Sequence, residues 1–489
     1  MRSTSVIMTA VLCAYGSALL LERVAGLNVS VVIMAVVLAL TLARTRVSRP
    51  GDRIDTVSAF VLLPAVAVAA WGIGRLLGSY PDLGGALLVA AMAASVWIRR
   101  FGDRATRLGI LIVLPLIASL IVSQAGAGQA GFGWTAAVAL VACAWVTVVV
   151  LVAVRLGVIV LPPVSSAPAP APAAASAGAG RSRRLPASTR MAVQLGAALA
   201  VSFLLGRLLW PQHWTWVVIS AFVVCSGTRG RGDVLYKGIL RAGGAVAGTL
   251  AATGLGALFG PRADATVILI FVALAAGSWL RGYSYAYWAA IVTGVISLLY
   301  SWFGMSAGGP LHTRLCGLLL GAALAVGLSW LVLPVRTSDL LRRRTAEAVA
   351  ALRAVLSADR SDASGLRRGQ ETYARSVARL SEIAPPLRAQ RRLLSGWLPG
   401  RRYGADAVDA LIRCAAPVSL VASTQTADPR AAEAARSVCG NADAVRRVIG
   451  RRAGARYRPV DTLDAGVAEL TGALRDIDNA LGVLSVTFS

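Results

Sequence analysis

Two phrases in the chain each close an apolar run with an arginine and are nearly the same. MAASVWIRRF (92–101) returns 182 residues later as LAAGSWLRGY (274–283), with Ala, Ala, Trp and Arg in register. Arg99 and Arg281 therefore close two equivalent apolar runs. A guanidinium binds a carboxylate through two parallel hydrogen bonds, and arginine at the edge of an apolar span usually faces protein or water. Around a pseudo-twofold axis the pair would form a cationic vestibule that draws in organic anions. The competing reading is positive-inside anchoring, with Trp97 and Trp279 as interfacial belt residues. Arg75 and Arg207 lie within the outer parts of apolar runs. They either snorkel to the headgroups or form an anion site on the exit side. His213, between Trp210 and Trp214, reads as interfacial.

Other chemistry is hard to build from this chain. Two histidines, His213 and His312, cannot make a multi-histidine metal site. The six cysteines are scattered, with no C-x-x-C, so neither zinc nor a disulfide framework is expected. No P-loop, nucleophile elbow or strand-bounded GxGxxG is present, so no enzyme activity, cofactor or metal is expected. GIGRLLG (72–78), GLGALFG (254–260), GAVAG (244–248) and GLLLG (317–321) lie in apolar runs and read as close helix packing. The net charge of +26 raises nucleic acid as a partner, but no basic face with interleaved aromatics supports it. Seven acids precede residue 336, and all fall at run ends or in loops. No carboxylate stands mid-span, where proton-coupled pumps usually keep one, and this favours a passive anion pathway.

The elements that must hold these residues are membrane helices. The 489 residues are 56% hydrophobic and 15% charged, with mean hydropathy +0.68, more apolar surface than a soluble fold can hide. Runs long enough to span, roughly 17–25 residues, fall near 4–21, 28–44, 56–79, 83–98, 108–124 and 133–156. Six more fall near 190–209, 212–227, 239–260, 264–280, 283–304 and 313–334. The first reads as a membrane helix and not a signal peptide, because the second half repeats it. GIGRLLGSYPD (72–82) aligns without gaps on GLGALFGPRAD (254–264), again at 182 residues.

The expected fold is therefore all-α and polytopic, with two six-helix repeats, 1–160 and 190–335. A Pro/Ala-rich cytoplasmic linker, 161–189, joins them, and 336–489 forms a cytoplasmic helical domain. Six helices per repeat make the halves parallel. With the N-terminus inside, nineteen Lys/Arg lie at inner ends and five at outer ends, so both termini are expected in the cytoplasm. In the C-terminal domain, helices are expected from Thr337 and near 367–384, 403–424, 427–450 and 459–484, with a break at Pro385-Pro386. VDALIRCAAPVSLVAS reads as a buried core helix and not a thirteenth span, since Arg413 and Pro417 interrupt it.

One stretch carries a resemblance. WPQHWTWVVISAFVVCSGTRGRGDVLYKGILRAGGAVAGT (210–249) has a Trp-led short helix, a basic turn and then R-x-G-G-x-x-x-G-T. It resembles the fusaric acid resistance family of bacterial membrane proteins through Trp214, Arg241, Gly243, Gly244, Gly248 and Thr249. The first half departs from the pattern, with Ser58 near the place of Arg241. The resemblance implies a duplicated membrane unit in the bacterial cell membrane and export of aromatic carboxylic acids and other toxic compounds. A distant similarity to the aluminium-activated malate transporters implies an anion channel as the alternative. The partners implied are the lipid bilayer, a small organic anion and a second copy of the chain, with no nucleic acid. A membrane-anchored interaction protein without transport is the rival from another class.

Overall fold

The computed structural model describes residues 2–48, 53–124, 131–159, 186–211, 213–226, 230–256, 258–259, 262–281, 283–304, 311–333, 337–359, 362–396, 402–424, 426, 428–452 and 456–489. Most of the linker expected at 161–189, and Gly260 of the second glycine phrase, lie outside them. The described residues contain helices and no strand.

Six helices precede the linker: α1 (Arg2–Ala25), α2 (Ser30–Ser48), α3 (Arg53–Ser79), α4 (Pro81–Trp97), α5 (Asp103–Gln124) and α6 (Phe132–Arg155). Six follow it: α7 (Ala187–Leu209), α8 (Trp214–Cys225), α9 (Arg231–Gly256), α10 (Asp264–Leu280), α11 (Tyr285–Trp302) and α12 (Leu311–Leu331). Among the described residues nine of these are long and apolar enough to cross a membrane, namely α1 to α7, α11 and α12. Helices α8 and α10 are apolar but shorter. At 1.5 Å per residue the 12-residue α8 reaches only about 18 Å, short of a hydrocarbon core of roughly 30 Å. Helix α9 is long, but it opens on Arg231 and carries Lys237 and Arg241.

The two sets pack alike. α1, α2 and α6 contact one another, as do α7, α8 and α12. α5 lies against α3 and α4, and α11 lies against α10 and, through Gly244 and Gly248, against α9. Between the sets, α1 meets α10 and α4 meets α7, so the first helix of each set touches the fourth of the other. Tyr15 and Phe271 make the first of these contacts edge-on at 4.8 Å. Gly85 makes the second, lying directly under the Phe203 ring.

Side chains separated by 182 residues reproduce this packing. Trp97 meets Phe101 at 5.4 Å and 80°, and Trp279 meets Tyr283 at 5.7 Å and 78°. Gly109 on α5 nestles against the backbone of Ser95 on α4, while Gly277 on α10 makes room for Ile291 on α11. These are the same two positions with the small residue moved to the other partner. The glycine phrases divide. Gly244 and Gly248 meet α11, and Gly317 and Gly321 meet α8. Gly72, Gly78 and Gly254 have nothing within 4 Å of where a β-carbon would stand, so the close packing expected at those three is absent from the described contacts.

Residues group into two compact units, 1–227 with 237–334, and 228–236 with 335–489. The second contains α13 (Thr337–Leu356), α14 (Ala363–Ser381), α15 (Ala384–Leu394), α16 (Gly404–Arg413), α17 (Ala415–Ser423), α18 (Pro429–Ile449) and α19 (Ala468–Phe488). The helix expected over 403–424 is two, because Pro417 in the first turn of α17 has no N–H to continue the ladder from α16. Val408, Leu411, Cys414, Val418 and Val421 still line one buried face across that break. Pro385 and Pro386 mark the expected break, and they also start α15, where missing N–H groups cost nothing. The last helix starts at Ala468, later than expected. The chain before it is held by the buried Asp478 carboxylate, which accepts from Asn441 Nδ2 (2.7 Å), Tyr457 OH (3.1 Å) and the Val460 N–H (3.1 Å).

Candidate functional site

Helix α11 begins after Ser284, whose side chain accepts from the Ala286 N–H at 3.2 Å and caps the helix. Its opening turns lie among arginines. Arg281, at the end of α10, sets its guanidinium over the Trp288 ring at 5.4 Å, and Arg44, near the end of α2, lies over the same ring at 4.7 Å. Tyr285, one turn before Trp288, is within electrostatic range of both Arg281 and Arg241. Neither Arg44, Arg281 nor Arg241 has an ion pair among the described residues. Two cations on one indole repel each other, and no described carboxylate offsets them, so this end of α11 favours an anion.

Arg241 lies deeper, near the middle of α9. It is fully buried and heads the largest of the fully buried side chains. Sequence accounts for its setting. Gly244 and Gly248 fall three and seven residues later on the same helical face, and they bring the α9 backbone onto Ala286 and Ala290 of α11. Across that contact Arg241 Nη1 donates to the Ala289 carbonyl (3.2 Å) and to Thr293 Oγ1 (2.8 Å). Nε and Nη2 are buried with no hydrogen-bond partner. Burying a charge costs several kcal/mol, and two hydrogen bonds from a charged donor return only about 1.5–3 kcal/mol each. The site is thus stored at a cost to the fold.

The first set of helices carries apolar side chains at the corresponding sequence positions. At the 182-residue spacing Arg241 corresponds to Ala59 and Thr293 to Leu111, and both are buried in one apolar cluster. Ala289 corresponds to Arg107, which is only partly buried.

The remaining predicted residues are dispersed. Arg99 sits in the 3-10 turn after α4, half-buried, with Nε buried and without a hydrogen bond. No hydrogen bond, ion pair or ring contact among the described residues joins Arg99 to Arg281. Arg100, its neighbour, covers the Trp97 and Phe101 rings at 4.4 and 4.6 Å. Arg75 is exposed and lies 5.4 Å over Trp71. Arg207 is neutralised by Asp82 at 2.6 Å and rests over Phe203. The motif residues other than Arg241 mostly pack. Trp214 is buried edge-on to Phe203 at 4.8 Å and fills the space left by Gly206. Thr249 returns a hydrogen bond to the Ala245 carbonyl (2.7 Å), and Gly243 meets nothing within 4 Å.

Sequence reasoning missed Arg44, Trp288 and Thr293. A signal existed for the last, since Thr293 is a hydroxyl inside an apolar helix one turn after Ala289. Gln194 Nε2 donates to the carbonyls of Ser329, Val332 and Leu333 at 2.8–3.2 Å and caps the end of α12.

Bundled apolar helices with buried, unbalanced cations define a multi-pass helical membrane protein. Residues 197–328, from α7 into α12, match the family model described as fusaric acid resistance protein-like. The match and the apolar helices together support a membrane transporter of the fusaric acid resistance type. No curated protein matches the chain, and no similarity to aluminium-activated malate transporters is shown.

Proposed function

We propose that this protein exports organic anions, aromatic carboxylates among them, across the bacterial cell membrane. In this reading α1–α6 and α7–α12 are parallel repeats giving twelve crossings, both termini are cytoplasmic, and 336–489 is a cytoplasmic domain. The reciprocal contacts of α1 with α10 and α4 with α7 support the duplication. The observation that carries the substrate class is the set Arg44, Arg281 and Arg241, three cations with no ion pair among the described residues. Arg99 and Arg75 extend the basic path on this reading. Arg207 contributes less, because Asp82 already holds it.

A passive channel is the second reading. It is favoured by the placement of Glu22, Asp82, Asp103, Asp233 and Asp264, all within about one turn of a helix end, which leaves no described carboxylate in the middle of any of α1–α12 to carry a coupling proton. Purified full-length protein in liposomes loaded with radiolabelled benzoate tests both. Release faster than from equally loaded, protein-free liposomes supports transport, and a voltage-driven current without saturation identifies the channel. No release across a panel of aromatic and aliphatic carboxylates would move the function to an anchored interaction protein.

A further inference from the structure

Arg241 is held by one nitrogen only. Nη1 carries both of its hydrogen bonds, to Ala289 and Thr293, and the two buried atoms left without partners are Nε and Nη2. Those two nitrogens form the side edge of the guanidinium, whose parallel N–H groups match the two oxygens of a carboxylate. The bound edge fixes the orientation and the free edge is presented ready to bind. A purely structural arginine would be expected to use that edge, because each buried donor without a partner carries a penalty. At the corresponding positions Ala59 and Leu111 are apolar and share one buried cluster.

We infer that the Nε/Nη2 edge of Arg241 is a carboxylate-binding site, present once per chain in the second set of helices and without a counterpart in the first. This rests on the organic-anion reading above and places its binding step off any pseudo-twofold axis, at the α9–α11 contact. The basic cluster of Arg44 and Arg281 attracts the anion, and Arg241 binds it. With Arg241 fully buried, the structure is the closed state of this site. A carboxylate reaches it when the bundle around α9 and α11 opens.

Calorimetric titration of the full chain in nanodiscs with benzoate tests the site apart from transport. One benzoate per chain is expected, with affinity lowered at least tenfold in Arg241→Met and also in Arg241→Lys, which keeps the charge but loses the edge. Benzoate should raise the thermal midpoint of the wild type and leave that of Arg241→Met unchanged. Without benzoate, Arg241→Met should melt no lower than the wild type, because it removes a buried charge. Unchanged affinity in both variants, or two sites per chain (which would bring in Arg107), overturns the inference, as does no binding by the wild type. If Arg241→Met does not accumulate, the wild-type stoichiometry and Arg241→Lys decide alone. Benzoate release that survives both substitutions keeps transport and removes the site. Single-site binding with no release in liposomes keeps the site and removes transport.

Discussion

Gly248→Ala would put a methyl group where the backbone of α11 already stands. Its β-carbon would lie 2.8 Å from the carbonyl carbon of Ala290 and 3.0 Å from its Cα, and closer still to its oxygen. Carbon atoms pack best at ~3.5–4.0 Å, so α9 and α11 must part by roughly 0.7–1 Å. The bond from Arg241 Nη1 to the Ala289 carbonyl is already 3.2 Å, and that shift takes it out of hydrogen-bond reach. Overpacking costs about 1–3 kcal/mol, and losing a bond from a charged donor adds about 1.5–3 kcal/mol. Helix propensity returns about 0.5–1 kcal/mol for replacing glycine by alanine. The net expectation is a loss of about 2–5 kcal/mol. Gly243→Ala is the internal control, since it lies on the same helix and meets nothing within 4 Å. It should be neutral or stabilise by up to about 1 kcal/mol. Thermal unfolding of the two purified full-length variants in one detergent makes the comparison. Equal midpoints would refute the close approach of α9 to α11, and with it the account of how Arg241 is held.

Two further outcomes follow from other contacts. Gly109→Ala should destabilise the protein by about 1–3 kcal/mol, because its β-carbon would meet the Ser95 main-chain carbonyl, which no change of the Ser95 side chain removes; a thermal midpoint equal to that of the wild type would refute the close approach of α4 to α5. Asp362 caps α14 through the Gly365 N–H (2.9 Å) and accepts from Ser364 Oγ (2.8 Å), which holds its carboxyl below the usual carboxylate range. A depressed carboxylate stabilises the fold above its unfolded pKa of about 3.9 and loses that contribution as pH falls through its folded value. The pH dependence of unfolding below about pH 4 should therefore flatten in Asp362→Asn, which still caps but does not titrate; an unchanged slope would assign the acid sensitivity elsewhere.

The sequence alone determined the helices, because membrane helices are local objects. Twenty apolar residues satisfy their own backbone, and hydropathy reads them without knowledge of neighbours. All twelve apolar runs correspond to helices, and the 182-residue register recovers contacts such as Trp97 with Phe101 and Trp279 with Tyr283. The arginines that matter were also visible as a type, since charge in an apolar run stands out at once.

What each arginine does was decided only by tertiary structure, because a guanidinium's role depends on its partners, and those come from other helices. Arg207 looked as open as Arg241 until Asp82, 125 residues away, proved to hold it. Arg99 and Arg281 are equivalent in sequence, yet Arg281 shares Trp288 with Arg44 while Arg99 meets neither. The register also blurred one step: Ser58 stood near the place of Arg241, whereas the helix spacing puts the buried Ala59 there. Which nitrogens of Arg241 are bound and which are left over depends on a glycine-mediated approach of two helices within a few tenths of an ångström. No pattern along a single chain encodes a distance of that kind.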